Sequence, residues 1–387
     1  MQSVAEAWLV YRLTGSAALL GVAGFASQIP VLFLATVGGT VADRFNRHRI
    51  LVITQTVSMV LPLILAALVF TGYIRVWHVF TLAAALGVVN AFDVPARQSF
   101  VVEMVGKDDL VNAIALNSSI VNAARAIGPA VAGILVAAVG EGWCFLINGL
   151  SYVAVITGLL LMKLPPRLRT DHPKPALADL THGFRYVRKT MPVRDLLLMV
   201  GLVSFAGFPY STFMPIFAED ILHGGARELG LLMACAGVGS LAGALTLATR
   251  SSIRGLGRIV AASAVIFGVA LVVFAASRIF WLSALVLPVV GMSMITQAAS
   301  TNTLIQSMVP DAMRGRVMAI YAMMFMGMAP IGALVEGWLA ERIGAPHTVM
   351  IGGAVCVAGA IVFNIRLPRL RVLARQLIDA QKVETNG

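Results

Sequence analysis

Apolar residues run along the chain in twelve long blocks that are separated by polar segments. A helix rises about 1.5 Å per residue, so about 20 largely apolar residues are needed to cross a hydrocarbon layer about 30 Å thick. The blocks at 51–70, 143–162, 259–276 and 280–299 meet this length clearly. The pattern predicts an all-α polytopic membrane protein, with spans near 1–13, 17–41, 50–70, 77–96, 110–138, 143–162, 195–218, 229–248, 258–276, 280–305, 312–340 and 345–365.

One connection is much longer than the others and divides the chain in two. Residues 163–194 are rich in proline and basic residues. Their second half places four apolar residues on one helical face, which is typical of an amphipathic helix on lipid headgroups: Leu177, Leu180, Phe184 and Val187. We predict an N-terminal bundle of spans 1–6 (1–163), a cytoplasmic linker with this helix (164–193), a C-terminal bundle of spans 7–12 (194–366) and a cytoplasmic tail (367–387).

An internal repeat supports two six-helix bundles. The segment around Val105 matches the segment around Val309, and Gly128-Pro129 falls near Ala329-Pro330. The offsets are 204 and 201 residues. Parallel repeats of six helices are the architecture of many secondary transporters.

The basic residues lie in alternate loops rather than on one soluble face. Of the 29 Lys and Arg residues, 23 fall in loops on one side, five on the other, and Arg125 inside a span. By the positive-inside rule the basic loops are cytoplasmic, which predicts a multi-pass protein of the cell inner (plasma) membrane with both termini of the full-length form in the cytoplasm. Because the basic loops lie beside the membrane, their partner is the lipid bilayer, and this accounts for the net charge of +11. The placement excludes a nucleic-acid partner.

The residue types that build metal, disulfide or catalytic sites are sparse. Three cysteines lie far apart in apolar segments, and six histidines are scattered over loops. No metal site, cofactor or enzyme is therefore expected, since no ligand spacing and no set of nucleophile and base is present. We expect a monomer.

The segment Gly39–Arg49, between the second and third spans, carries the strongest local signal. It resembles the loop signature G-x-x-x-D-R-x-G-R-R of the major facilitator superfamily, through Gly39, Asp43, Arg44 and Arg47. Asn46 replaces the usual glycine and His48 the last basic residue. We expect Gly39 to let the second helix approach a neighbour closely and the arginines to anchor the turn.

A second element lies in the fifth span. Gly128, Pro129 and Gly133 resemble the G-P-x-x-G-G motif of drug/proton antiporters, with Ala132 in place of one glycine. Proline bends the helix and small residues permit tight helix packing. This resemblance favours export over uptake.

Two further stretches resemble the enterobactin- and macrolide-exporter branch of the superfamily. The first runs from Asn90 to Gln98 and is followed by Asn112–Ser118. The second, 302–317, contains Gln306, Arg314, Gly315 and Arg316. The resemblance implies two six-helix bundles, alternating access around a central cavity, and proton-driven efflux of a small molecule. It also implies about 20 further residues before Met1, so we expect the first helix to be truncated and the active protein to be longer.

Charged residues inside spans are expensive and mark function by default. They are Glu6, Asp93, Arg97, Arg125 and Glu336. Arg97 has two candidate partners, Asp93 one turn away and Asp43 at the same membrane edge, and pairing with Asp43 would gate the cytoplasmic side.

Arg125 forms a polar stripe with Asn117 and Asn122, which we expect to face the cavity, and pairing with Asp93 is the structural alternative. Proton coupling needs a carboxylate, and Glu6 and Asp93 qualify in the first half. For Glu336 the alternative is snorkelling from a helix end.

Three functions stay open from the sequence. The first is proton-coupled efflux of an amphipathic molecule such as a siderophore, macrolide or drug. The second is lysophospholipid or lipid transport on the same fold. The third is a degenerate facilitator homologue that does not transport.

Overall fold

The computed structural model describes residues 1–105, 109–162, 176–250 and 255–386. Within this part every regular element is helical. The first half contains six helices: α1 (Gln2–Thr14), α2 (Ala17–Arg44), α3 (Arg47–Phe70), α4 (Val76–Val105), α5 (Leu110–Val139) and α6 (Glu141–Leu161).

The second half is more interrupted. After α7 (Ala176–Lys189), one span is built from α8 (Met191–Ala206), a 3-10 turn (Phe208–Ser211), α9 (Met214–Ile216) and a π-helical turn (Phe217–Ile221). Pro209 and Pro215 break it, because proline lacks the N–H that a helix interior needs. Then follow α10 (Ala226–Ala248), α11 (Leu256–Ala276), α12 (Phe280–Met308), α13 (Asp311–Ala322), a π-helical turn (Met323–Gly327), α14 (Met328–Ile343) and α15 (Ala345–Asn386).

Ten of the described helical segments are long and apolar enough to cross a membrane. Large apolar side chains on their outer faces are exposed, among them Phe33 (71%) and Trp281 (78%). Such exposure suits helices whose surroundings are hydrocarbon. The prediction of an all-α polytopic fold is confirmed.

The helices pack as two six-helix bundles. In the first, α2 packs on α4 and α3 on α6; in the second, α10 packs on α12 and α11 on α15. The second bundle has an aromatic core in which Tyr210 and Phe217 contact Phe274. The domain boundaries given above stay a prediction.

Turns between helices are set by local chemistry. Gly15 adopts a positive φ of 61° to end α1, and the Ser16 hydroxyl caps α2 by accepting from the Leu19 N–H. Asn46 caps α3 in the same way by accepting from the Arg49 N–H. Each short turn reverses the chain, so successive spans run in opposite directions.

The predicted amphipathic helix in the linker is present as α7, but one of its faces packs on protein. Gly183 lies against Arg316 and Ile320 of α13, and Val187 is buried. Phe184 is exposed on the outside of α7. Leu177 and Leu180 have side chains outside the described residues.

Candidate functional site: the interface between the two bundles

Two helix pairs make most of the described contacts between the bundles, α5 with α10 and α2 with α14. Both cross at glycines. A Cβ on Gly133 would lie 2.5 Å from the Gly230 Cα and 2.6 Å from the Ala226 carbonyl oxygen. Gly337 approaches Gly21 in the same way, since a Cβ on Gly337 would lie 3.2 Å from the Gly21 Cα. Only glycine permits backbones to come this close.

These crossings lie at one end of the molecule. We call the helix ends beside the basic loops, where α2 meets α3 and α12 meets α13, the basic end, and the other the opposite end. Gly133 is near the last residue of α5 and Gly230 near the first of α10, so both belong to the opposite end. Gly21 near the start of α2 and Gly337 near the end of α14 lie there too.

A carboxylate ties the bundles together beside the glycines. Glu341 Oε2 of α14 accepts from the Ser16 hydroxyl at 3.0 Å and from the Ala18 N–H at 3.1 Å. Both donors belong to the first turn of α2, where unpaired N–H groups and the helix dipole favour an anion. The glutamate of one bundle therefore completes the cap of a helix in the other.

A second tie joins α1 to the π-helical turn at Phe217–Ile221. The Tyr11 hydroxyl donates to Asp220 across 209 residues of sequence. Tyr11 is buried, whereas Asp220 is exposed. The hydrogen bond thus joins a buried side chain of the first bundle to an exposed side chain of the second.

Every hydrogen bond that the structure describes between the bundles lies at the opposite end. At the basic end, a Cβ added to Gly39 or to Gly315 would meet nothing within 4 Å. Among the described residues, the glycine-to-glycine crossings and the hydrogen bonds between the bundles are thus found at the opposite end. This asymmetry is the main geometric feature of the candidate site.

The loop signature fastens the helices of the first bundle to one another. Arg47 Nε donates to the Ala42 carbonyl at 3.1 Å and its Nη1 to the Ser99 carbonyl at 3.3 Å, which joins α2, α3 and α4. His48 Nε2 lies 2.7 Å from the Leu159 carbonyl of α6. Arg44 is exposed, and the Asp43 side chain lies outside the described residues.

The close approach predicted for Gly39 is wrong for this conformation. Gly38 makes it instead, because its Cα faces the carbonyl of Ala91 in α4. Gly39 is one residue further on, about 100° round the helix, and points away from α4.

Asp93 lies inside the first bundle with three polar partners. Its Oδ1 accepts from the Thr54 hydroxyl and from Gln55 Nε2, both at 2.8 Å, and its Oδ2 lies 3.1 Å from Arg97 Nη2. The Asp93 side chain is 3% exposed and that of Arg97 is 56% exposed. Arg97 therefore pairs with Asp93, and the guanidinium connects a buried acid to the surface at the basic end.

Glu6 belongs to a polar chain between α1 and α6. Asn148 Nδ2 donates to Gln2 Oε1 at 2.8 Å, and Gln2 Nε2 donates to Glu6 Oε1 at 2.7 Å. Glu6 is half-buried. The structure does not bring Glu6 and Asp93 into contact through any hydrogen bond that it describes.

The polar stripe of α5 is described only by its backbone. Asn117, Asn122 and Arg125 are helical, but their side chains lie outside the described residues. Pro129 is described, and its carbonyl oxygen would lie 2.7 Å from a Cβ on Gly230. Gly128 has a more open environment, since its nearest neighbour would be 3.9 Å away.

The second-half motif lies at the basic end of α12 and α13. Gln306 Nε2 donates to Asn302 Oδ1 at 2.6 Å, and Arg314 Nη2 lies 2.5 Å from Asp311 Oδ1. Arg316 packs against Gly183 of α7. This motif therefore connects the second bundle to the linker.

Snorkelling is wrong for Glu336. The residue is 7% exposed, and α14 continues for two more turns to Ile343. Its Oε1 would lie 3.4 Å from a Cβ on Gly352, so it faces α15 rather than the surface.

Comparison with known proteins identifies the family. The model of the family described as transmembrane secretion effector matches residues 1–385. The chain belongs to this family of major facilitator transporters. It is a multi-pass membrane protein, and its family consists of transporters rather than enzymes.

Curated relatives cover almost the whole chain. The staphyloferrin A transporter of Staphylococcus aureus is 27% identical over 375 residues, which is 94% of this chain and 92% of the relative. The multidrug efflux pump Tap of Mycobacterium tuberculosis is 28% identical over 96% of this chain and 90% of the relative. Macrolide efflux protein A of Streptococcus pyogenes is 21% identical over 90% and 87%.

Solved structures share the fold. The nucleoside transporter NupG matches with a TM-score of 0.73 at 16% identity, covering 95% of this chain and 94% of the other. A bacterial homologue of the human lysosomal transporter Spinster, in an inward-facing and unoccupied conformation, matches with a TM-score of 0.65 at 16% identity over 98% and 95%. The prediction of a major facilitator fold is confirmed.

Proposed function

We propose that this protein exports a small amphipathic molecule by alternating access, driven by the proton gradient across the plasma membrane. The observation that carries the proposal is the one-sided closure of the interface. Glycine crossings and the Glu341 and Tyr11 ties hold the bundles together at the opposite end, while no hydrogen bond between the bundles is described at the basic end. A carrier that alternates needs a contact of this kind that one state makes and the other breaks.

The charge pattern indicates which state of the transport cycle the structure represents. If the basic end is cytoplasmic, as the positive-inside rule requires, the closed end faces outward and the protein is in its inward-facing state. An exporter binds its substrate in that state. The printed names of the relatives support a siderophore, macrolide or other drug as the substrate class.

Asp93 is the residue we assign to proton coupling in the first bundle. Three donors contact its carboxylate oxygens, and Arg97 is the one that reaches the surface. Protonation of Asp93 would weaken its attraction to Arg97 and release the guanidinium. Glu6 is the second candidate, because the chain through Gln2 places it between α1 and α6.

The test is accumulation of a fluorescent cationic drug in cells with and without the protein. We expect lower accumulation with the protein, abolished by a protonophore and by Asp93→Asn. Asp109→Asn is the matched control, because Asp109 is exposed and its side chain caps nothing. Equal accumulation with and without an abundant, correctly inserted protein across a panel of drugs, macrolides and siderophores would contradict the proposal.

A further inference from the structure

Helix α12 carries four polar side chains on one face at the spacing i, i+1, i+4 and i+5. We call them the α12 polar face: Thr296, Gln297, Ser300 and Thr301. Gln297 is 1% exposed, and Ser300 and Thr301 are fully buried. Residues at this spacing are neighbours on a helix, so the four groups form one patch inside the second bundle.

Four polar atoms of this patch lack a hydrogen-bond partner in the part of the chain that the structure describes. Within the described residues, none is hydrogen-bonded among Thr296 Oγ1, Gln297 Nε2, Ser300 Oγ and Thr301 Oγ1. Buried polar atoms are almost always bonded to protein or to ordered water, so four together require an explanation.

Other hydroxyl side chains of α12 donate hydrogen bonds to the backbone of their own helix. Thr303 Oγ1 donates to the Ala299 carbonyl at 3.0 Å, and Ser307 Oγ donates to the Leu304 carbonyl at 2.8 Å. Such bonds to the preceding turn are the usual way in which Ser and Thr satisfy themselves in apolar helices. Ser300 and Thr301 are fully buried, and their hydroxyls make no such bond.

The patch occupies the position in the second bundle that Asp93 occupies in the first. The repeat offset of 204 residues places Gln297 at Asp93 and Thr301 at Arg97. The acid of the first bundle is bonded to Thr54, Gln55 and Arg97. Its counterpart, Gln297, is neutral, and the Gln297 Nε2 has no hydrogen-bond partner among the described residues.

The chemistry of the patch selects its ligand. A hydroxyl offers one donor and two lone pairs, whereas the Nε2 of Gln297 offers donors alone. A cation would satisfy oxygen lone pairs and would be repelled by the amide N–H groups. Water can accept from Nε2 and donate to the hydroxyls, and buried waters typically make two to four such bonds.

We propose that the α12 polar face binds a small cluster of ordered water molecules inside the second bundle. The waters bridge Gln297 to Ser300 and Thr301. They supply in the second bundle the kind of hydrogen bonds that charged and polar side chains supply to Asp93 in the first. The proposal does not depend on the substrate or on the direction of transport.

The direct test is hydroxyl-radical footprinting by X-ray radiolysis of the full-length protein in detergent, because bound water generates radicals beside buried side chains. Tyr321 is the probe, since its hydroxyl donates to the Ala298 carbonyl next to Gln297 at 2.9 Å. Tyr210 is the matched control, because it is a tyrosine of the same bundle, is 5% exposed against 8% for Tyr321, and packs on Phe267 and Phe274. We expect modification of Tyr321 at least about tenfold faster than that of Tyr210; equal slow rates would overturn the proposal.

Variants connect the signal to the patch. The double variant Ser300→Ala/Thr301→Val should slow the labelling of Tyr321 severalfold, whereas Thr303→Val, which removes a hydroxyl bonded to its own helix, should not. If the double variant does not fold, Ser300→Ala alone serves the same comparison. Labelling that the patch variants leave unchanged would place the water elsewhere and overturn the proposal. A melting temperature that Na⁺ or K⁺ raises over choline, and that the double variant makes insensitive, would identify a cation site instead.

Discussion

The glycine crossing of α5 and α10 makes a sharp prediction, because replacing Gly133 with alanine introduces one methyl group where there is no room. The added Cβ would lie 2.5 Å from the Gly230 Cα and 2.6 Å from the Ala226 oxygen, and both are backbone atoms that cannot rotate away. Ordinary carbon contacts are about 3.5–4.0 Å, so the helices must separate by about 1 Å at this point.

The magnitude follows from overpacking. Forcing a methyl group into a closely packed contact typically costs about 1–3 kcal/mol. If that strain is present only while the opposite end is closed, the closed state loses a factor of about 5–150 in population. Gly133→Ala is therefore expected to open the opposite end without unfolding the protein.

The assay measures the distance distribution between spin labels at Tyr73 and Arg278. These two exposed sites both lie at the opposite end, Tyr73 on the first bundle and Arg278 on the second. Native cysteines are replaced first. A longer distance should gain population in Gly133→Ala. Gly158→Ala is the control, since a Cβ there meets nothing within 4 Å. Identical distributions for Gly133→Ala and wild type, in a folded protein, would refute the reasoning.

Three further predictions concern the ties and the orientation. Glu341→Gln removes the charge from the cap of α2 and should open the opposite end by a smaller factor, about two- to fivefold for ~0.5–1 kcal/mol, in the same spin-label measurement; an unchanged distribution argues against this tie. Arg47→Ala removes two hydrogen bonds from a charged donor and should destabilise the first bundle by about 1.5–3 kcal/mol in thermal unfolding, whereas exposed Arg49→Ala should have little effect. Reporter fusions after Arg47 and Lys174 should read cytoplasmic and one after Gly224 external; an external signal at Lys174 would contradict the two-bundle topology.

The helices could be predicted because hydropathy determines membrane spans. The third span was predicted at 50–70 and is found at Arg47–Phe70. Hydropathy does not indicate whether a helix continues beyond the membrane. The extension of α15 past the predicted end at 365 to Asn386 was therefore not predicted. Hydropathy also does not report hydrogen-bond register, so the π-helical turn Met323–Gly327 was not foreseen. Ser204 Oγ donates to the Phe325 carbonyl there at 2.5 Å, a bond that sequence spacing cannot predict.

The site was predictable where residues are close in sequence. Asp93 and Arg97 are one turn apart, and their pairing was one of two alternatives considered. The hydrogen bonds that close the opposite end join residues more than 200 positions apart, such as Tyr11 and Asp220, and depend on how the bundles dock. A single sequence holds no signal for them. The loop residues Asn46 and Arg47 likewise did not reveal that His48 would contact Leu159 of α6.

The central claim is proton-driven export, and purified protein in liposomes tests it most directly. The protein is reconstituted in liposomes, with a pH-sensitive dye and a fluorescent substrate on the side of the membrane that the basic end faces. A proton gradient is then imposed that drives protons toward this side. The account predicts that substrate leaves this side while protons enter it, that both fluxes stop in Asp93→Asn, and that both persist in Asp109→Asn. Substrate movement with no accompanying proton flux, or movement unaffected by collapsing the gradient, would contradict it.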